Sequence, residues 1–500
     1  MTKPRKIIKD TGTMLAMEFG VNFSDAIISI LLAWYLGPAG LGLMAFAMSF
    51  ASLYAVLPGF GMGAWITRDL AREPDKMSLF LSNGLIVKLF LSLSTLALIL
   101  GSSLVLHHDP HRTLLVMFAA LLMIFETNTN FVLSVFQGYQ KMTVVAVVNL
   151  LQRAVWVISA LLVIFFHGGI AQLLGVRALI YGIGFCISIV LIESRLEKIR
   201  WTFDVAFIKR MMKASMPFAL FRIFGSVYTD LDTVMLSSMR GDVMTGWYAA
   251  GYKFLRVFSF IPGGVFQAIL PAFTKLSRES RENMLRTLER SIKFLLIFVL
   301  PICAGTTVLA NRFTLMIYGP KFSGSGGALR ILIWSLLFTF LNSALNASIA
   351  AVDQEKRGSG ILFLGLLFSA LSNLIVIPKW GYLGAAMTTI LSEAVVFSLQ
   401  ARLVAKKIPG LRIWRYAGKP FLATLVMLAA AWLLQNQSLF LSVPVSGAVY
   451  LAALVSFKAI DQDEWDLMRK IFVDRFKKRN SGGPKPPPTP GSDPELISPI

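Results

Sequence analysis

The sequence predicts an all-α integral membrane protein with about fourteen transmembrane helices. Three observations carry this reading. Of the 500 residues, 56% are hydrophobic and only 15% charged, well away from the average soluble domain. Apolar stretches near the roughly 20 residues needed to cross a bilayer recur along the whole chain. The connections between them are short and marked by Gly or Pro, as at Gly37-Pro38 and His167-Gly168-Gly169.

In order, the stretches are 13–36, 41–66, 78–105, 113–136, 143–166, 170–192, 214–238, 244–272, 291–311, 328–352, 358–377, 383–404, 417–434 and 439–457. The first is too long for a signal-peptide core and is interrupted by Glu18 and Asp25, so it reads as uncleaved. With the N-terminus in the cytoplasm, that side receives Lys3, Arg5, Lys6 and Lys9, then Arg68, Arg72, Lys76 and Lys141. It also receives the basic loops 193–213, 273–293, 353–358 and 402–419. The opposite side keeps only Arg112, Arg240, Arg312, Lys321, Arg330 and Lys379. Such a positive-inside bias places both termini in the cytoplasm.

The formal net charge of +21 is therefore topology and contact with anionic lipid headgroups. A nucleic-acid partner is not expected, because no basic soluble face or motif is present. Trp34, Trp65, Trp201, Trp247, Trp380 and Trp414 fall near helix ends, as an aromatic belt would. Cys186 and Cys303, isolated in membrane segments, offer no disulfide or metal framework.

Sliding the chain by 204 residues aligns helices one and two with helices seven and eight. Gly37 falls on Gly241, Gly42 on Gly246, Ala45 on Ala249, Pro58 on Pro262 and Gly59 on Gly263. Gly and Pro in membrane helices mark bends and close approaches. The offset spans an even number of helices, so the halves share one orientation. A parallel repeat places a path at the junction of two six-helix bundles. The expected organisation is an N-terminal bundle over 1–212 and a C-terminal bundle over 213–410. Helices thirteen and fourteen follow over 411–458, then an amphipathic interfacial helix over 459–480 and a disordered Pro-rich tail over 481–500. Trp465, Met468, Phe472 and Phe476 would form the apolar stripe of that interfacial helix.

Helical spacing gathers polar residues into faces. Helix one carries Glu18, Asn22, Asp25 and Ser29; helix four carries Glu126, Asn130, Ser134 and Gln137. Helix seven carries Arg222, Ser226, Asp230 and Thr233, while helix eight presents Lys253 and Arg256. Helix ten carries Ser335, Thr339, Asn342 and Asn346. Lys88, Arg153, Arg177 and Glu393 add one charge each to other helices. Ionisable groups at bilayer depth are costly and face water-filled cavities, a substrate path or one another. Six basic residues meet six acidic ones, a balance that allows full structural pairing. Arg177, near a helix end, is expected to snorkel as a bystander. Asp232 points away from the Arg222 stripe and is expected to contact a neighbouring helix.

Several segments carry a family resemblance. Tyr228-Thr-Asp-Leu-Asp-Thr-Val-Met-Leu, Gly246-Trp-Tyr-Ala-Ala-Gly-Tyr-Lys253 and Ile261-Pro262 resemble the seventh and eighth helices of polysaccharide exporters. These are the oligosaccharide flippases of the multidrug/oligosaccharidyl-lipid/polysaccharide superfamily. Leu36-Gly-Pro-Ala-Gly-Leu-Gly-Leu43 resembles their first external turn. Ile317-Tyr-Gly-Pro-Lys-Phe322 with Leu329-Arg-Ile-Leu332 resembles their ninth-to-tenth connection, and Ile377-Pro-Lys-Trp-Gly-Tyr-Leu-Gly-Ala-Ala386 their turn into helix twelve.

The resemblance implies movement of a lipid-linked oligosaccharide, on a polyprenyl pyrophosphate, from the inner to the outer leaflet by alternating access. Arg and Lys suit phosphate oxygens, so Arg222, Lys253 and Arg256 are the first substrate-binding candidates, with Lys88 and Arg153 behind them. The amides of Asn342 and Asn346 suit glycan hydroxyls. Asp25, Asp230, Glu126 and Glu393 are candidates to carry a coupling proton or sodium ion; no cofactor is otherwise implied. Membrane lipids and glycan polymerase or glycosyltransferase proteins are the expected partners, and the plasma membrane the expected location.

Alternatives within the superfamily are a lipid II flippase and a drug/cation antiporter, the latter disfavoured by the extra helix pair. Outside it stands a non-transporting membrane partner of a glycan synthase. No phosphate loop, nucleophile elbow or triad pattern appears, so an enzyme is not expected. His107, His108, Asp109 and His111 cluster in an outer loop, where clustered histidines without Cys partners read as solvated rather than as a metal site.

Overall fold

A computed structural model describes residues 4–258, 260–411 and 416–459. Side chains are described from Ile27 onward, except at 217, 218, 220–222, 260, 267 and 268. The expected interfacial helix beyond Ala459 and the Pro-rich tail lie outside the described residues.

Fifteen α-helices follow one another: α1 (Pro4–Gly59), α2 (Met62–Leu70), α3 (Met77–Val105), α4 (Pro110–Gly138), α5 (Met142–Phe165), α6 (Ile170–Arg195), α7 (Val205–Arg240), α8 (Asp242–Phe258), α9 (Phe260–Glu279), α10 (Arg281–Tyr318), α11 (Ser323–Leu332), α12 (Ser335–Ala351), α13 (Glu355–Lys407), α14 (Gly418–Leu433) and α15 (Leu439–Ser456). Two of these are pairs of spans folded about a glycine. Gly37 turns α1 at φ 67° and ψ −177°, and Gly381 turns α13 at φ 56° and ψ −133°. Only glycine occupies such backbone regions without strain. Bent pairs go the other way: α11 and α12 meet at 40° and together make the predicted tenth span. With α8 and α9 forming the eighth, the described residues hold the fourteen membrane helices the sequence predicts.

Burial is inverted relative to a soluble protein. Phe90, Leu104, Phe165, Phe166, Leu371 and Ile375 are exposed, whereas Asn83, Lys88, Ser188, Asn373 and Gln400 are buried. Lipid accepts apolar faces at no cost, so polar groups turn inward and pair there.

In the first half, Met62, Trp65, Phe80, Phe131 and Phe136 build a core that also takes Met211 from the start of α7. In the second, Leu288, Ile292, Phe340, Ala344 and Ile377 form a larger core. The α14–α15 pair docks on α10, where Met427, Tyr450 and Leu454 pack on Ile297 and Ala304. The Tyr450 hydroxyl donates to the Ile297 carbonyl at 2.7 Å.

The halves meet through the repeated glycines. A Cβ on Gly42 would lie 1.8 Å from the Asp242 carbonyl oxygen, and one on Gly246 would lie 1.9 Å from the Pro38 carbonyl oxygen. The 204-residue offset carries Gly42 to Gly246 and Pro38 to Asp242, so this is one contact made twice about a pseudo-twofold axis. Gly241, the counterpart of Gly37, likewise has a positive φ of 82°. The parallel repeat is thus written into the backbone as two helix crossings that only glycine permits.

Candidate functional site

Below this glycine crossing, α1 and α7 run side by side and exchange hydroxyl and carboxylate contacts. Ser49 and Ser52, one turn apart on α1, donate to Asp230 at 3.1 and 2.6 Å. Ser52 also meets the Ser226 hydroxyl at 2.8 Å. Asp230 is thereby held by hydroxyls of the opposite half.

The same surfaces enclose a cavity of about 440 Å³, walled by α1, α4, α5, α6, α7 and α8. Among the described residues its charged groups are Arg177, Asp230, Lys253 and Arg256, three cations to one anion. The Arg177 guanidinium stacks 5.0 Å from the Trp156 ring and the Arg256 guanidinium 5.7 Å from that of Tyr252. Stacking fixes a guanidinium plane while leaving its N–H edge free to bind. An anionic group with planar or tetrahedral oxygens fits such a wall.

A second cavity of about 370 Å³ adjoins the first, since Thr229, Tyr252 and Arg256 line both. It lies within the second half, between α7, α8, α12 and α13, and carries Asp232, Glu393, Tyr228 and a ring of Ser and Thr hydroxyls. Asp232 is 4% exposed. One of its oxygens accepts from Asn373 at 2.6 Å and Ser369 at 3.3 Å; the other accepts from Thr389 at 2.8 Å and Tyr248 at 3.2 Å. Glu393 accepts from the Asn342 amide at 3.0 Å.

At the end carrying Gly37 and Gly241, three further contacts join the halves. Arg112 pairs with Asp242 at 2.6 Å, with both side chains mostly buried, and reaches Ser237 at 3.4 Å. The Arg112 guanidinium also stacks on Phe46. The Trp34 indole donates to the Ile317 carbonyl. These contacts hold the two halves together at this end.

The sequence profile of the polysaccharide biosynthesis protein family matches residues 7–277, more than half of the chain. The chain belongs to that family. Among similar proteins, the probable flippase AglR of Haloferax volcanii is 25% identical over 450 residues, covering 84% of this chain and 89% of the relative. A putative O-antigen transporter of Shigella dysenteriae is 25% identical over 355 residues, covering 70% and 88% respectively. Among solved structures, the lipid II flippase MurJ in an inward closed conformation aligns with TM-score 0.73 at 16% identity, covering 92% of this chain and 99% of its own. An inward-facing multidrug MATE transporter aligns with TM-score 0.60 at 14% identity, covering 78% and 98%. These likenesses show a shared fold.

Within this polysaccharide biosynthesis fold, the sequence-predicted residues divide. Lys253, Arg256 and Asp230 share the central cavity, and Glu393 lines the second. Asn342 stands behind Glu393, and Asn346 accepts from Gln400 at 3.0 Å inside the α12–α13 packing. Lys88 is 1% exposed, donates to the Pro58 carbonyl and sits 5.1 Å from the Phe131 ring. It belongs to the packing of the first half. Arg153 on α5 and Glu126 on α4 are half-buried and do not line either cavity. The side chains of Arg222 and Asp25 lie outside those described, as do those of Glu18 and Asn22.

Two expectations change. Arg177 is not a snorkelling bystander: α6 turns it inward, and the buried face of Trp156 receives it as a cavity wall. The outer arginine Arg112, read from sequence as a loop charge, is a tie between the halves. The sequence pattern held one clue, since Asp242 is the repeat partner of Pro38 at the crossing. Asp232 contacts α13 and α8, as its place off the Arg222 stripe predicts.

Proposed function

We propose that this protein is a flippase that carries a polyprenyl-pyrophosphate-linked oligosaccharide from the cytoplasmic to the outer leaflet of the cell membrane by alternating access. The observation that carries the reading is the cavity at the junction of two repeat-related halves, whose described lining residues include three cations and one anion. Arg177, Lys253 and Arg256 supply forks and point charges for pyrophosphate oxygens, and membership of the polysaccharide biosynthesis family supports the reading. The relatives named as flippases and as an O-antigen transporter support it.

With both termini in the cytoplasm, as the positive-inside pattern implies, the end at which the halves are tied faces outward, the arrangement of an inward-facing state. A carrier entering from the inner leaflet neutralises the cations. The glycine crossing and the Arg112–Asp242 tie then part to release it outside. Asp230 and Glu393, with Asp25 and Glu126, are the candidates to couple this cycle to protons or sodium. Glycan polymerases and glycosyltransferases are the partner class that consumes or supplies such a substrate. The protein moves its substrate without changing its covalent structure.

A drug/cation antiporter is disfavoured by the excess of cations in the cavity, which repels organic cations. The lipid II reading differs only in the headgroup sugar and peptide, and purified carriers separate the two.

The test is replacement of Arg222, Lys253 and Arg256 singly by Ala, followed by quantification of surface glycan in cells expressing each variant at wild-type level. Loss of glycan in the Lys253 and Arg256 variants is expected. Normal display by all three sinks the pyrophosphate role.

A further inference from the structure

We infer that the second cavity is a glycan subsite that takes the first one or two neutral, hydroxyl-bearing sugars of the carrier while the central cavity holds the pyrophosphate. The inference rests on the flippase reading and assigns a chemical role to a cavity that reading leaves unused.

Its volume of about 370 Å³ falls within the range of about 300–1,000 Å³ usual for small-molecule sites. Its chemistry is that of sugar recognition. Tyr228 and Tyr252 present ring surfaces with polar tips, and Ser335, Thr339, Ser369 and Ser392 present hydroxyls. Among the described residues Arg256 is the only cation in its lining, and it stands on the boundary with the central cavity. The remainder carries Asp232 and Glu393, so an anionic group is repelled from its interior. Asp232 does not invite a cation either, because each of its oxygens already accepts two hydrogen bonds from the protein.

What stays open is a set of groups suited to hydroxyls. The Tyr228 hydroxyl faces the Glu393 carboxylate on the cavity wall. The second Glu393 oxygen lies beyond the one that accepts from Asn342. Buried polar groups left open cost free energy unless a partner arrives, and a sugar ring supplies donors and acceptors at adjacent carbons. Position agrees with chemistry. In a lipid-linked glycan the first sugar is bonded directly to the pyrophosphate, and Arg256 and Tyr252 are the wall common to the two cavities.

The experiment measures binding of two carriers to the full-length protein in nanodiscs: undecaprenyl pyrophosphate, and the same lipid bearing one N-acetylglucosamine. The readout is the ratio of the two Kd values, in which damage common to both carriers cancels. The wild type should favour the glycosylated carrier about tenfold, the effect of one or two net hydrogen bonds. Tyr228→Phe and Thr339→Val should bring the ratio toward one. Arg256→Gln should weaken both carriers and keep the ratio. A wild-type ratio near one overturns the subsite while leaving the flippase reading intact. So does a ratio unchanged in both cavity variants. Binding of neither carrier overturns both.

Discussion

Replacing Gly246 with alanine places a Cβ 1.9 Å from the Pro38 carbonyl oxygen. Cβ contacts rarely fall below about 3.0 Å, so the crossing must open by about 1 Å, against backbone on both sides with no rotamer to yield. Overpacking of this kind costs about 1–3 kcal/mol, which shifts a two-state equilibrium by about 5–150-fold. The cost falls only on the state in which the halves touch here, so Gly246→Ala should deplete the closed-end conformation rather than unfold the chain. Gly42→Ala, facing the Asp242 carbonyl at 1.8 Å, should act alike, and the double variant more strongly. Pulsed electron resonance between spin labels at Leu106 and Val243, both exposed near this end, measures the effect in a chain with Cys186 and Cys303 replaced by Ser. The account expects a longer distance population absent from the parent. An unchanged distance distribution in the double variant refutes the claim that the crossing seals this end.

Other outcomes follow from neighbouring features. Arg112→Ala should loosen the same end by about 1 kcal/mol, and exchanging the charges (Arg112→Asp with Asp242→Arg) should restore part of the closed population in the same label experiment. Asp232→Ala strands four donors, including Asn373 and Tyr248. It should cost about 3–5 kcal/mol and lower the thermal midpoint in detergent well below that of Asp232→Asn. His108 packs on Phe46 and Phe50, and burial, with the Arg112 charge beside it, pushes its pKa below the ordinary 6.5. A depressed folded pKa means the unfolded chain binds the proton more readily. Its contribution is therefore whole above about 6.5 and lost as pH falls through the lowered folded value. Thermal midpoints compared at pH 7.5 and pH 5 should fall less for His108→Phe than for the parent.

The helices were legible because lipid imposes a length and an apolar face on each span, and glycine and proline punctuate them. Gly37, Gly241, Gly319 and Gly381, read as turn residues, all have positive φ. The repeat was legible for the same reason, since close crossings need glycine at matched positions. What sequence could not supply was azimuth. Helical spacing places Arg177 and Lys88 on stripes but does not say which neighbour each stripe meets. Arg177 turns to Trp156 and the cavity, while Lys88 turns to Pro58 and Phe131. Contacts between halves such as Arg112–Asp242 join residues from distant segments whose pairing no local pattern announces.

The central claim is transport through the charged junction, and reconstitution tests it most directly. Purified protein in proteoliposomes, given a fluorescent undecaprenyl-pyrophosphoryl oligosaccharide, should move the lipid between leaflets, as read by quenching from one side. Lys253→Ala and Arg256→Ala should slow that movement by an order of magnitude or more, about 1.4 kcal/mol or greater. No movement by the wild-type protein, or movement at the wild-type rate by both variants, would contradict the account.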